Sequence, residues 1–481
     1  MTHRPAVGFL FPSPRGAEKM AELTALTMEL LADTETPVSA YLKLCAGQGG
    51  SFLMESGEWS ETAGRYSVVA WRPLAGLRLG SAGVELTVGD QKAMHPAAEF
   101  FPLLRRIRAE LKVDLPAGLP FAGALVGYVG WEAALLLERL PGAMTDEPPT
   151  AQLAYPSRLV IFDHLRRALV LVAIDQSAQA CQDGLAETRQ RLLGPLPAPP
   201  GPASLELRDP PPERYAAMVR RAKEYILDGD IFQVVPSDRF EGESDMDPLS
   251  VYRWLRVKSP SPYMFYLNFG DLRLVGSSPE TMIKVNGGRL KLKPIAGTRG
   301  RSADPVKDKA LEDEMLASEK ERAEHLMLVD LGRNDAGRVC RYGSVGVDPF
   351  MIVERYSHVM HMVSEVGGDL LPELDEVDAF MAAFPAGTVS GAPKVRAMEI
   401  IHELEQSPRG PYGGAVGFFG PGRNLDTCLA IRIIQFMGQK ITVQVGAGIV
   451  ADSVPAYEYK ELQHKAAQSL AALRLAAQGG V

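Results

Sequence analysis

The segment LAIRIIQFMGQKITVQV, residues 429–445, contains the pattern that decides the fold class. Its two strand-like apolar runs, 429–436 and 440–445, follow each other closely enough to predict an antiparallel hairpin. A second pair of such runs surrounds a polar turn in RLVIFDHLRRALVLVAID, residues 158–175. Paired strands of this kind favour an antiparallel sheet over a strictly alternating parallel one.

Helical patterns lie between these strands in the second half of the chain. ERYAAMVRRAKEYI places apolar residues at helical spacing from residue 213 onwards, and Pro212 suits a first turn. Further helices are predicted near 309–331, 375–383, 393–405 and 457–474. The mixture of helices and paired strands predicts an α+β fold.

The proline-rich stretch 194–212 marks the clearest internal boundary. Its proline density is incompatible with a regular helix or a central strand, and is typical of an exposed linker. The predicted organisation is therefore a strand-rich N-terminal domain, residues 1–193, and a larger C-terminal domain, residues 213–481.

Composition excludes several classes of protein. Lys and Arg number 51 against 59 Asp and Glu, which gives a net charge of −8 and argues against nucleic-acid binding. The four cysteines form no CxxC pair, so neither a disulfide framework nor a zinc site is indicated. No apolar run approaches the roughly 20 residues of a membrane helix. We expect a cytoplasmic protein that acts on small molecules.

Two pairs of glutamates have the spacing of a shared helix face. Glu321 and Glu324 are three residues apart in LASEKERAEHLMLVDLGRND, and Glu458 and Glu461 repeat this spacing in SVPAYEYKEL. Such pairs are common on solvated acidic faces. They also have the geometry to share one hard cation, and Mg2+ needs only a few protein carboxylates beside water and anionic substrate oxygens.

Glycine-rich segments supply a second indication of ligand binding. They are PIAGTRGR (294–301), FPAGTVSGAPK (384–394), YGGAVGFFG (412–420) and VGAGIV (445–450), and none matches a nucleotide-binding motif. Each is either a tight turn between strands or an anion-binding loop. Arg432, within an apolar run, is either an edge-strand arginine or a ligand for a carboxylate. His361 is either a structural histidine or a site residue. A small polycarboxylate substrate fits these features.

The ordered series of motifs in the C-terminal half resembles the chorismate-utilising enzymes. The series covers residues 213–474 and consists of GDIFQVVPSDRF, SPSPYMFYL, GSSPE, PIAGTRGR, EKERAEHLMLVDLGRND, RYSHVMHMVS, GTVSGAPKVRAMEII, YGGAVGF, LDTCLAIR, VGAGIV and SVPAYEYKE. FLMESGEWSETAGRYSVV (52–69) and FAGALVGYVGW (121–131) are similar to the N-terminal domain of the members that aminate chorismate. The resemblance implies antiparallel sheets packed as a sandwich and flanked by helices.

The resemblance also implies roles for individual residues. Mg2+ ligands fall on Glu324 and Glu461, with Glu321 and Glu458 beside them. Glu280 matches a proposed general acid for the departing C4 hydroxyl, His361 is linked to the later pyruvate elimination, and Thr388 is a further active-site position. The implied chorismate contacts are Gly297, Thr298, Tyr412, Arg432, Gly446, Ala447 and Gly448.

Two positions distinguish the subfamilies. Members that add water have a lysine base where this chain has Gln233, and glutamine does not act as a base. Aminodeoxychorismate synthases typically have a lysine nucleophile where this chain has Ala296. We therefore expect ammonia to add at C2, giving anthranilate and pyruvate at the first committed step towards tryptophan. The alternative products are aminodeoxyisochorismate and aminodeoxychorismate.

The resemblance further implies a partner and an effector. No segment resembles a glutaminase nucleophile, so a glutamine amidotransferase subunit is expected, in a heterotetramer of two large and two small subunits. Feedback inhibition by tryptophan is expected at a site formed by Glu55 and Ser56 together with Pro262, Tyr263 and Met264. This assigns regulation to residues 1–193 and catalysis to residues 213–481. Gly300 departs from relatives that have proline there, and it removes no functional group.

Overall fold

The computed structural model describes residues 9–10, 19–20, 23–57, 64–111, 113, 115, 119, 121–356 and 359–479. Residues 58–63 of the motif FLMESGEWSETAGRYSVV and residues 357–358 of RYSHVMHMVS lie outside the described residues.

The helices begin at residues whose chemistry favours a helix start. Proline occupies the first turn of five of them, α1, α4, α5, α6 and α10, and the side chain of Ser318 accepts the first-turn amide of α7. The α-helices are α1 (Pro37–Cys45), α2 (Phe100–Glu110), α3 (Ala178–Leu192), α4 (Pro212–Leu227), α5 (Pro248–Lys258), α6 (Pro305–Ala317), α7 (Glu319–Gly337), α8 (Glu376–Ala383), α9 (Lys394–Glu405) and α10 (Pro455–Ala477).

Every strand pairing in the described residues is antiparallel. The strands are β1 (Phe9–Leu10), β2 (Lys19–Met20), β3 (Thr24–Leu31), β4 (Ser51–Glu55), β5 (Tyr66–Gly80), β6 (Gly83–Val88), β7 (Gln91–His95), β8 (Leu125–Val129), β9 (Ala151–Asp163), β10 (Ala168–Asp175), β11 (Leu205–Arg208), β12 (Gln233–Val234), β13 (Ser237–Ser244), β14 (Tyr263–Asn268), β15 (Leu272–Ser278), β16 (Thr281–Asn286), β17 (Arg289–Leu292), β18 (Ile295–Gly300), β19 (Gly346–Val347), β20 (Ile352–Arg355), β21 (Val359–Val363), β22 (Val366–Asp369), β23 (Gly391–Ala392), β24 (Ala415–Gly420), β25 (Asn424–Leu429), β26 (Ile433–Met437) and β27 (Lys440–Gly446).

Two large layers share the long strands β5 and β9. One layer has the order β3, β10, β9, β5, β4, β14, β15, β26, β27, β13, β11, and the other has the order β7, β6, β5, β9, β8, β24, β25, β16, β17, β22, β19. The register between β5 and β9 shifts between Pro73 and Ala75, where the two strands pass from one layer to the other. The layers enclose one continuous apolar core. This arrangement confirms the predicted sandwich.

Strands from the two halves of the sequence pair directly with each other. β4 pairs with β14, and β8 pairs with β24. The linker 194–212 contains β11, which pairs only with β13 among the described strands and is therefore an edge strand. Both layers therefore mix strands from both halves, and segments distant in sequence lie side by side.

Two local predictions were wrong. The single helix predicted over 309–331 is divided into α6 and α7 at Ser318, whose extended backbone (ψ 110°) ends one helix and caps the next. The strand predicted over 429–436 is interrupted between β25 and β26, and Arg432 has a positive φ of 53°. Among the described residues, no helix has the length and apolarity needed to cross a membrane.

Candidate active site

The helix start at Ser318 places Glu321 beside a glycine loop. Arg299 Nη1 donates to Glu321 Oε1 at 2.6 Å, whereas Glu321 Oε2 is buried with no hydrogen-bond partner in the described part of the chain. Gly297 has a φ of +65°, and a Cβ at this position would lie 2.6 Å from Glu321 Oε2. Only glycine therefore allows the loop to approach this oxygen. A buried carboxylate oxygen without a partner fits a cation or a ligand donor.

Helices α7 and α10 bring the two glutamate pairs together, which spacing alone did not establish. Burial raises the pKa of Glu324, and the charges of Glu461 and Glu321 raise it further. Burial also raises the pKa of Glu458, again with a contribution from Glu461. Lys465 Nζ lies 2.7 Å from Glu461 Oε1. Mutually repelling carboxylates at one cleft are a charge arrangement that a divalent cation relieves.

The described residues contain no set of three or more acidic, histidine or cysteine side chains that encloses a metal ion unaided. Glu324 and Glu461 still fit Mg2+, because this ion retains several waters and usually takes only one or two protein carboxylates together with substrate oxygens. The carboxylate pairs and the partnerless oxygen of Glu321 thus fit a cation completed by substrate.

The small sheet formed by β18, β21 and β20 positions His361. Its Nδ1 lies 3.0 Å from Thr298 Oγ1 and 3.2 Å from the Gly297 carbonyl oxygen. Because a carbonyl only accepts, this network assigns the proton to Nδ1 and leaves Nε2 as the basic nitrogen. Burial lowers the pKa of His361, with a further lowering from Arg432. The ring is therefore neutral near pH 7.

Glu280, Thr388 and Arg432 form a second polar group, and Arg432 connects it to the carboxylates through the charge of Glu461. Burial raises the pKa of Glu280 to about 7, while Thr388 and Arg432 lower it in part. The Thr388 hydroxyl is buried and has no hydrogen-bond partner of good geometry among the described residues. Burial lowers the pKa of Arg432, and the neighbouring Tyr412 and Glu280 raise it. A carboxyl group with a pKa near 7 is suited to proton transfer.

The loop after β27 forms a wall without side chains. A Cβ on Gly446 would lie 2.9 Å from the Tyr412 hydroxyl, and a Cβ on Gly448 would lie 2.5 Å from Gln233 Nε2. The Ala447 amide donates to the Tyr215 hydroxyl at 3.2 Å. The predicted residues Gly446 and Tyr412 therefore meet, Gly448 lies against Gln233, and the Ala447 amide is already engaged.

Three polar residues near this site were missed in the sequence. Lys465 donates to the Gly446 carbonyl at 2.9 Å as well as pairing with Glu461. Its position four residues after Glu461 on one helix is a signal that helical spacing provides. Arg299 and Tyr215 act through neighbours distant in sequence, and no local pattern identifies them.

The two predicted effector segments are adjacent strands. Glu55 on β4 lies opposite Met264 on β14. The Glu55 carboxylate accepts hydrogen bonds from Tyr252 Oη at 2.5 Å and from Arg256 Nη2 at 3.0 Å. The Tyr263 hydroxyl donates to Asp426 Oδ1 at 2.8 Å. Ser56 and Pro262 adjoin this strand pair. The segments thus meet, and the Glu55 carboxylate has protein partners.

Comparison with known proteins adds to this geometry. Residues 52–471 match the chorismate binding enzyme family. Anthranilate synthase component 1 of Pseudomonas putida is 44% identical over 478 residues, which cover 94% of this chain and 96% of the relative. The same component of Cereibacter sphaeroides is 42% identical, covering 91% and 92% of the two chains.

Two solved structures are similar to this chain. Anthranilate synthase component I from Streptococcus pneumoniae superimposes with a TM-score of 0.76 at 33% identity, covering 92% of this chain and 99% of that chain. The menaquinone-specific isochorismate synthase from Escherichia coli has a TM-score of 0.71 at 17% identity and shares the fold, covering 98% and 96% of the two chains.

Proposed function

The chain belongs to the family of chorismate binding enzymes, and we propose that it converts chorismate and ammonia to anthranilate and pyruvate, the first committed step towards tryptophan. The observation that carries this proposal is the proximity of Glu324 to Glu461, with Arg432 close enough to feel the charges of both Glu461 and Glu280. Gln233 and Ala296 occupy the positions where other subfamilies have lysines, so neither an activated water nor a lysine nucleophile competes with ammonia.

Glu324 and Glu461 would hold Mg2+, with Glu321 and Glu458 beside them. When bound, the cation supplies positive charge against a substrate carboxylate. Arg432 and Tyr412 would contact a second anionic group of chorismate, with Gly297, Thr298, Gly446, Ala447 and Gly448 lining the pocket. The fixed positive groups would counter charge that develops in the transition state.

Glu280 would donate a proton to the C4 oxygen of chorismate as ammonia bonds to C2, so that the hydroxyl leaves as water. Its pKa of about 7 leaves a substantial protonated fraction near neutral pH. Thr388 lies beside Glu280 and would hold its carboxyl in place. His361, neutral with a basic Nε2, would act in the later step in which the C2 proton is lost and pyruvate leaves.

Ammonia would come from a glutamine amidotransferase subunit, in a heterotetramer of two large and two small subunits. All four cysteines of this chain are unpaired and buried, and burial raises the pKa of Cys340 to about 11. A glutaminase needs an activated thiolate, and these thiols lack that environment. Unpaired cysteines are also typical of the cytoplasm, where we place the assembly.

Tryptophan would inhibit by binding at Glu55, Ser56 and Pro262–Met264. The β14 strand that contains Met264 also pairs with β15, which ends two residues before Glu280. An effector bound to this strand pair would therefore act on the position of Glu280 through β14 and β15. On this proposal residues 1–193 are regulatory and residues 213–481 are catalytic.

Nitrogen donors test the proposed function. The purified chain with Mg2+ and chorismate is expected to form anthranilate from ammonium and to leave glutamine unchanged. Addition of a glutaminase subunit should then allow glutamine to replace ammonium. Hydrolysis of glutamine by the chain alone would contradict the two-subunit arrangement.

A further inference from the structure

Arg409 is a buried charge outside the predicted set of site residues. Only 3% of its surface is exposed. Its Nε contacts both carboxylate oxygens of Glu405, at 3.1 and 3.0 Å, and its guanidinium lies 4.2 Å from the centre of the Trp131 ring. A buried ion pair of this kind contributes little net stability, because desolvation offsets the attraction. Another reason for its presence is therefore needed.

The guanidinium connects the segments that form the chorismate pocket. Nη1 donates to the Val389 carbonyl at 2.8 Å, and Nη2 donates to the Val235 carbonyl at 2.6 Å. Val389 directly follows Thr388, and Val235 lies two residues after Gln233. The centre of the Tyr412 ring is 5.6 Å from the guanidinium. One side chain thus fixes three segments of the pocket.

Glu405 extends the network to the glycine wall. It accepts hydrogen bonds from both the amide and the hydroxyl of Ser237, each at 2.8 Å. Ser237 lies opposite Gly446 in the pairing of β13 with β27. The position of Gly446 against the Tyr412 hydroxyl therefore depends on the same ion pair.

Glu132 connects the network to the N-terminal half. Its two oxygens accept the backbone amides of Arg409 and Gly410, at 2.6 and 3.0 Å. The Trp131 amide donates to the Gly410 carbonyl at 2.8 Å. The turn that leads to Tyr412 is thus held by residues 131 and 132 as well as by its own segment.

We propose that Arg409 is a positioning residue for chorismate binding, and that Glu132 makes this positioning depend on the N-terminal half. The inference rests on the proposed assignment of Tyr412 and Gly446 to the chorismate pocket. We propose no contact between Arg409 and the substrate. Its planar set of donors holds the walls of the pocket at the correct separation, which the single ammonium group of lysine does not reproduce.

Chorismate affinity of the full-length Arg409→Lys variant tests the proposal, measured by calorimetry with Mg2+ and without ammonium. Affinity should fall about ten- to a hundredfold, because loss of a charge-assisted hydrogen bond that holds the pocket has an effect of about this size. Arg158→Lys is the matched control: Arg158 is 6% exposed and bonds the Ser157 and Ile174 carbonyls and Asp175. Its melting temperature should fall similarly while chorismate affinity stays near wild type.

If Arg409→Lys does not fold, the Glu132→Gln variant provides a second test. This isosteric change replaces one acceptor with a donor facing a backbone amide, so KM for chorismate should rise several-fold with kcat changed much less. Unchanged chorismate affinity in Arg409→Lys, or an unchanged KM in Glu132→Gln, would overturn the proposal. Chorismate affinity is measured without ammonium, so no anthranilate forms during the measurement. The role of Arg409 in binding is therefore tested independently of the proposed reaction.

Discussion

The carboxylates of the cleft and the carboxylate of the proposed effector strands, β4 and β14, differ in whether protein groups satisfy them. Glu55 is buried, and its oxygens accept hydrogen bonds from Tyr252 and Arg256. Glu321 Oε2, by contrast, is buried and has no hydrogen-bond partner among the described residues, and burial raises the pKa of the neighbouring Glu324. Proteins generally satisfy buried polar groups internally, so an unsatisfied carboxylate oxygen beside other carboxylates fits a bound cation or ligand donor. The comparison supports a cleft whose carboxylates are completed by ligands, whereas the Glu55 carboxylate of the proposed effector strands is satisfied by the protein alone.

The cleft should therefore fail when its carboxylates are removed. Glu324→Ala or Glu461→Ala is expected to abolish turnover, because Mg2+ is then incompletely held against the substrate carboxylate. Anthranilate fluorescence at saturating Mg2+ measures the effect. The control is Glu319→Ala, an exposed glutamate of the same helix α7, which should retain activity. Activity close to wild type in both cleft variants would show that the cleft carboxylates do not hold a required cation.

Glu280→Gln should have the next largest effect. General acids typically contribute about 10²- to 10⁴-fold, and kcat should fall by an amount in that range. The acid must be protonated, so the wild-type rate at constant free ammonia should decline as pH rises through about 7 or above. Bound chorismate is anionic and raises the pKa of Glu280 further. The glutamine variant should lose this decline. A descending limb that persists in Glu280→Gln would assign the acid to another group.

The smallest effect is expected at the effector strands. Ser56→Leu should raise the tryptophan concentration for half-inhibition by about 10- to 100-fold. The reason is that loss of a hydrogen-bonding partner typically costs about 1 to 3 kcal/mol. The chorismate kinetics should stay close to wild type, because these strands are complete without a ligand. An unchanged inhibition curve would place the effector elsewhere. Simple competition between tryptophan and chorismate would remove the separate site.

Much of the fold was predictable because strand and helix patterns are local. The hairpin of β9 and β10, and helices α4, α8, α9 and α10, lie where the apolar spacing indicated. The break at Ser318 was missed because the polar residues around it are all compatible with one continuous helix. The break at Arg432 was missed because apolar residues on both sides continue a strand pattern.

The motifs predicted which residues belong to the site but not how those residues are arranged in space. The motifs identified both glutamate pairs, but the approach of α7 to α10 is a property of tertiary packing that spacing does not contain. Lys465, Arg299 and Arg409 act on segments far away in sequence, so no local pattern reports their partners. Nor did the sequence show that Glu55 is hydrogen-bonded by Tyr252, about 200 residues later.

Identification of the reaction products separates the proposed release of pyruvate from the alternative products. The purified chain is incubated with chorismate, Mg2+ and ammonium, and the products are separated and quantified. We expect anthranilate and pyruvate in equal amounts, with formation lost on removal of Mg2+. An aminated product that keeps its enolpyruvyl group, or the absence of any product with chorismate left intact, would contradict it.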